Sequence, residues 1–392
     1  MKNFQILINL YDFLGKRDSK SPDKKLKFFN IRNLTNIFFI ATFIIQSTAF
    51  LLIDAKTFTE YANSGYISVT SVLLFLTSIT GKSEKIFPLF EGFENAIQKR
   101  SVNVSSAEVF MESINGIERF LRWLDNSFHI TFVCLMLPNL CFMLYMIFTK
   151  DLEPEDYVLP FFAWLPFNWR TPTGYAMAFV LQCGNVYYLF MNCIALAGVY
   201  VAATLMLISF SNDARGEMNI IKKLNKTYLT KGNEREVVNR FCELIQLHID
   251  AKQFVSEFNK IYAKMILLFL TWCMVTVCGT LLMIQIQLSQ DPVDWPALLI
   301  TIWQLFWTFA FLFLYCYRGE EVTSAFEELA DEISQCEWDS LPYQLQRILP
   351  IVLIAAKESV QIKTYGFACT HERFQKIVNG GYSYYAILRE FY

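Results

Sequence analysis

The 392 residues are 54% hydrophobic and 16% aromatic but only 18% charged. A soluble domain carries about 25% charged residues, so the deficit points to lipid as the main solvent. The net charge of -2 offers no basic surface for nucleic acid, which excludes that class of partner.

Residues 1–32 carry eight Lys and Arg, and "KRDSKSPDKKLK" reads as a solvated cytoplasmic segment with no signal-peptide pattern before it. A bilayer takes about 20 apolar residues per helix. Six uncharged runs meet that length: Asn33 to Ile53, Tyr61 to Gly81, Asn126 to Thr149, Thr171 to Asn212, Met265 to Gln290 and Trp295 to Tyr317. The fourth is 42 residues long and has no polar loop in its middle. Its weak breakers, Gly184 and Gly198, do not stop a helix, so it reads as one helix that leaves the membrane. An amphipathic helix carrying Val237, Phe241, Leu244, Leu247, Ile249, Phe254, Phe258 and Ile261 should lead straight into span 5. After span 6, Val322, Phe326, Leu329, Ile333 and Cys336 share one helical stripe, and Leu341 to Lys357 forms another apolar helix interrupted at Pro350. These helices imply a packed inner domain.

The final segment, "FQKIVNGGYSYYAILREFY", is the subtle one. Residues Cys369 to Tyr392 would make a helix about 36 Å long, enough to cross. One face collects Arg373, Lys376, Gly380, Ser383, Ile387 and Phe391, flanked by Glu372 and Glu390; the other collects Phe374, Val378, Gly381, Tyr385 and Leu388. A polar or small stripe on a membrane helix faces a water-filled path or another helix, not lipid.

Lys and Arg set the orientation. Alternate segments, beginning with the N-terminal one, hold 30 of them, and the intervening segments hold 4. The positive-inside rule then predicts a cytoplasmic N-terminus and an extracellular C-terminus, the reverse of G-protein-coupled receptors. The fold expected is an all-α membrane protein with seven transmembrane helices and a cytoplasmic helical anchor domain. Its parts are an N-terminal segment (1–32), spans 1–6 with inner extensions (33–317), anchor helices (318–368) and span 7 (369–392).

Chemistry is sparse. The ten cysteines show no CxxC pair, and His129, His248 and His371 are far apart, so no metal site is expected. No GxSxG, HExxH or phosphate loop suggests an enzyme or a cofactor. No internal repeat suggests a transporter.

Four sequence stretches carry a resemblance. "SYYAILREF", Ser383 to Phe391, is similar to a Thr-Tyr-(five apolar)-Gln-Phe motif, with Ser383 for Thr, Glu390 for Gln and Arg389 at a normally apolar place. "YGFACTHERF", Tyr365 to Phe374, resembles a Gly-Gly-Phe…Phe stretch; "LPFFAWLPFNWRTPTGY", Leu159 to Tyr175, resembles a Leu-Pro…Trp-x-Pro loop; Trp338 matches an inner-segment tryptophan. In these the chain resembles insect odorant receptors, although Ala355-Ala356-Lys357-Glu358-Ser359 stands where that family commonly has Arg-Ser-Gln-x-Pro.

The resemblance implies an odorant-gated, non-selective cation channel that needs no G protein and sits in the plasma membrane of a sensory dendrite. It implies a heterotetramer in which this chain is the odour-specific subunit beside a shared coreceptor, since Asp213 to Lys264 is short for the coreceptor. A gustatory-type homotetramer is the alternative. By position in the motif, Ile387 would be the gate with Phe391 the ring above it; Lys376, Gly380 and Ser383 would line the path and Glu390 its outer mouth. A small cyclic or aromatic volatile would bind in the outer half among Tyr66, Val69, Thr70, Leu73, Leu137, Cys141, Tyr145, Phe179, Gln182, Val186, Trp303 and Phe306.

Overall fold

In hydrocarbon every backbone N–H must find its partner within the segment, so long apolar runs have one solution, the helix. The computed structural model describes residues 9, 11–12, 14, 31–55, 60, 64–65, 67–69, 71–73, 75–76, 83–100, 104–149, 157, 159, 163–231, 234–291, 293, 295–337, 339 and 341–390. The helices are α1 (Ile31–Ile53), α2 (Ser83–Arg100), α3 (Val104–Thr149), α4 (Pro172–Lys231), α5 (Glu234–Leu288), α6 (Trp295–Ser334), α7 (Tyr343–Lys357) and α8 (His371–Arg389). The described residues between 60 and 76 are helical too. Among the described residues, Leu34–Ile53, Pro172–Asn225, Glu234–Leu288 and Ala297–Ser334 are long and apolar enough to cross a bilayer.

Several helices outrun their apolar spans. α4 is a single helix of 60 residues, and α5 carries its amphipathic half into its apolar half without a break. α6 also continues past its span, through the charged stretch Arg318–Glu321 to Ser334, so span 6 and the expected first anchor helix are one element. The charges there interrupt hydropathy but not helical geometry, and Arg318 and Glu321 pair three residues apart on the helix surface (2.6 Å). α7 likewise runs through Pro350.

α4 packs on α3, α5, α6 and α1; α5 also meets α2 and α8. The core is centred where Tyr200, Tyr262, Tyr315, Phe258 and Phe326 are fully buried. Tyr11 and Leu14 insert into the same core, Tyr11 edge-on to Phe87 (5.3 Å), so the N-terminal segment is not only a solvated leader. The stripe Val322, Phe326, Leu329, Ile333 and Cys336 is buried throughout. On α5, Val237, Phe241, Leu244, Phe254 and Phe258 are buried, but Ile249 is exposed and its neighbour His248 takes the inward place. Burial, then the Lys252 ammonium beside it, push the His248 imidazole down to about 4, against a smaller pull from the Ala355 carbonyl. That carbonyl already accepts from Lys252 Nζ, and neither ring nitrogen of His248 makes a well-directed hydrogen bond.

A two-residue hairpin precedes α8: β1 (Lys363–Thr364) pairs antiparallel with β2 (Phe367–Ala368). Tyr365 (φ 42°) and Gly366 (φ 87°) form its turn. Both central residues of such a type I′ turn need positive φ, which explains the Gly-Gly of the related motif and makes Tyr365 a strained choice.

Candidate functional site

α8 is built to present two different faces. Thr370 caps it, its hydroxyl oxygen accepting from the Arg373 backbone N–H (3.3 Å), and Glu372 adds a negative charge to the first turn. Ile377 and Gly381 are buried, and Phe374 and Val378 pack on the main core. Gly381 is there because nothing larger fits: an added Cβ would lie 2.8 Å from Val277 Cγ1 and 3.2 Å from the Met274 carbonyl oxygen. Tyr385 packs on Leu282, Met283 and Ile286 and donates its hydroxyl proton to Gln285 Oε1 (2.7 Å). Phe374, Val378, Gly381 and Tyr385 are thus the face docked on α5.

The opposite face is exposed along its whole length: Glu372, Lys376, Asn379, Ser383, Ala386, Ile387 and Glu390. Lys376 pairs with Glu372 (2.5 Å), and Ser383 Oγ donates to the Asn379 carbonyl (2.8 Å). Lys376, Ser383, Ile387 and Glu390 therefore share one side, and Gly380 sits at its edge, 3.4 Å in Cβ terms from Met274 Sδ. Asn379 and Ala386 belong to this face as well and were not among the expected residues, although the same 100° rotation per residue places them there. Phe391 lies outside the described residues. Leu388 is also exposed, because α5 ends at Leu288 and leaves the last turn of α8 uncovered.

The expected ligand residues are less convergent. Phe179, Gln182 and Val186 are buried on α4. Phe179 joins Tyr157 and Tyr175 in a small aromatic cluster under the loop at residues 163–171. Leu73 is half-buried, whereas Val69, Leu137, Cys141, Trp303 and Phe306 are exposed, the last two stacked on each other (5.8 Å). Tyr66 and Thr70 lie outside the described residues, as do the Tyr145 side chain and Trp338. Trp307, which was not expected, is the residue of α6 that turns inward. It meets Phe128 (5.1 Å) and Phe311 (6.0 Å), and its buried indole N–H has no hydrogen-bond partner. Its four-residue spacing from Phe311 was the available signal.

Behind α4 a polar seam holds α1. Asn185 accepts from Thr42 Oγ1 (2.9 Å) and donates to Gln46 Oε1 (3.2 Å); Asn192 donates to Asn36 Oδ1 (2.8 Å). Gly184 admits the Phe39 ring, which would lie 2.3 Å from a Cβ there. Among the described residues no group of His, Cys, Asp or Glu could hold a metal ion.

Known proteins share this arrangement. The family described as 7tm Odorant receptor matches residues 94–382. Odorant receptor Or2 of Anopheles gambiae is 25% identical over 232 residues, spanning 57% of this chain and 58% of that protein's length. The insect olfactory receptor OR5 of Machilis hrabei, solved with eugenol, superposes with a TM-score of 0.73 at 12% identity, covering 99% of this chain and 98% of that one. The same receptor in a second structure gives 0.68 at 12% identity, covering 98% and 97%. At that identity the likeness is one of fold.

Proposed function

The chain belongs to the odorant receptor family of seven-helix membrane proteins, and we propose that it is the odour-specific subunit of an odorant-gated cation channel. Its partner is a shared coreceptor, in a tetramer in the plasma membrane of a sensory dendrite. The N-terminus is cytoplasmic, the anchor helices lie inside, and α8 crosses outward so that its exposed face lines a central path. The observation that carries this reading is the two-faced α8. One face is docked on α5 through Gly381 and Tyr385, and the other offers charged, amide and hydroxyl groups that lipid would not accept.

Along that face Lys376, Gly380, Asn379 and Ser383 line the inner and middle path. Ile387 supplies an apolar ring that closes by dewetting, with Phe391 above it, and Glu390 favours cations at the mouth. A small cyclic or aromatic volatile binds in the outer half of the bundle, where Gln182 and Val186 on α4 and the aromatic residues of α6 supply mostly apolar walls with few polar handles. Trp307 adds an unused donor to that set.

The test is whole-cell recording from cells expressing the chain with and without an insect coreceptor, against a panel of aromatic volatiles that includes eugenol, with no nucleotide in the pipette. Fast current only on co-expression is the expected result. Current from the chain alone would favour a gustatory-type homotetramer. A response that requires GTP would overturn the channel reading.

A further inference from the structure

The foot of α8 is fixed to the bundle at one crowded point. Tyr200 of α4 is fully buried, stacks on Tyr315 of α6 (ring centroids 4.2 Å apart) and donates its hydroxyl proton to the Tyr315 carbonyl (2.8 Å). Tyr315 stacks in turn on Phe269 of α5 (4.2 Å). The same Tyr200 hydroxyl is in hydrogen-bonding contact with the thiol of Cys369, the residue before the cap of α8. One turn beyond Tyr315, Gly319 lies against Cys369 so closely that an added Cβ would stand 2.2 Å from the Cys369 carbonyl oxygen and 3.0 Å from the Tyr200 hydroxyl. Further ties hold the same joint. The Cys369 N–H donates to the Ile362 carbonyl (3.1 Å), closing the hairpin, and the His371 N–H donates to Glu320 of α6 (3.3 Å). The His371 ring lies over Tyr317 (5.9 Å).

Three helices therefore meet the start of α8 through one hydroxyl group. A shift of α4 against α6 has to break the Tyr200–Tyr315 bond or drag Cys369 with it, because the contact at Gly319 leaves no slack. We propose that Tyr200 is a positioning residue for α8, acting through Cys369, and that this joint passes movements of α4 and α6 to the helix whose exposed face lines the path. The inference rests on the pore reading of α8.

Single-channel recording of the full complex without ligand tests it. Tyr200→Phe keeps the ring stack and loses both hydroxyl contacts. It should change the ligand-free open probability about fivefold, equivalent to about 1 kcal/mol at 1.4 kcal/mol per decade. Cys369→Ala should give a change in the same direction. Cys369→Ser, which keeps a donor, should restore wild-type behaviour. The double variant Tyr200→Phe with Cys369→Ala should do no more than either alone, since both remove one interaction. A purely structural role would lower the number of channels at the surface and leave the open probability of each unchanged, and that result overturns the proposal. Should Ile387→Ala alter gating while Tyr200→Phe does not, the joint fails and the pore reading survives. Should neither variant alter it, the pore reading fails as well.

Discussion

Two adjacent glycines on α8 should respond in opposite ways to the same substitution. Gly380 and Gly381 differ by 100° around the helix, and each gains about 1 kcal/mol of helix propensity on replacement by Ala. At Gly380 the new methyl meets only Met274 Sδ at 3.4 Å, the flexible end of a side chain that can move aside. At Gly381 it meets Val277 Cγ1 at 2.8 Å and Val277 Cβ at 3.0 Å, with the Met274 carbonyl behind at 3.2 Å. A β-branched side chain and a helical carbonyl cannot yield separately, so α8 itself must lift from α5. Such overpacking costs about 1–3 kcal/mol, which cancels or exceeds the propensity gain. Gly380→Ala should therefore be more stable than Gly381→Ala by about 1–3 kcal/mol. Thermal denaturation of the detergent-solubilised complex, followed by fluorescence-detected size exclusion, reads the difference. Equal stabilities, or a more stable Gly381→Ala, would show that this face is not docked on α5.

The remaining expectations test other links. Ile387→Ala should raise background current at matched surface expression by enlarging the apolar constriction, while Leu388→Ala, turned 100° away, should leave background current near wild type. Tyr365→Asn should stabilise the hairpin by about 1 kcal/mol, because Asn-Gly suits a type I′ turn and the exposed Tyr365 ring loses no contact, as a thermal melt would register. His248, held at about 4 when folded against about 6.5 when unfolded, takes up its proton in the unfolded state first as pH falls. Stability should be unaffected above pH 6.5 and decline by about 3 kcal/mol between pH 6.5 and 4, and melts of His248→Leu should lack that decline. Asn192→Ala should destabilise the α1–α4 seam by about 0.6 kcal/mol, the usual worth of a hydrogen bond between membrane helices.

How far the fold could be read from sequence depended on which physical signal each part left. The unbroken α4 and α5 were legible because no Gly-Pro punctuation or polar loop divides them. The union of span 6 with the next helix was hidden, since Arg318 and Glu321 end a hydropathy window without ending a helix. Ile249 was misplaced because an apolar residue was assumed to face inward, while the helical period brings His248 there instead. The insertion of Tyr11 and Leu14 leaves no local signature at all, being a contact across hundreds of residues. The docked face of α8 was visible in the alternation of glycine, aromatic and polar residues, because polar groups must avoid lipid. The ligand site was not: lipid is as apolar as a pocket wall, so Trp303, Phe306 and Trp307 look alike in sequence although only Trp307 turns inward.

The exposed face of α8 as the ion path is tested most directly by cysteine accessibility. Single cysteines at Asn379, Ser383 and Ile387, and as controls at Val378 and Tyr385, would be co-expressed with the coreceptor and treated with a small charged thiol reagent during recording. Unsubstituted channels would control for native Cys134 and Cys141, which are exposed. Rapid block at Asn379→Cys, Ser383→Cys and Ile387→Cys, with no effect at Val378→Cys and Tyr385→Cys, is the predicted outcome. Block at the two control positions, with the exposed face insensitive, would contradict it.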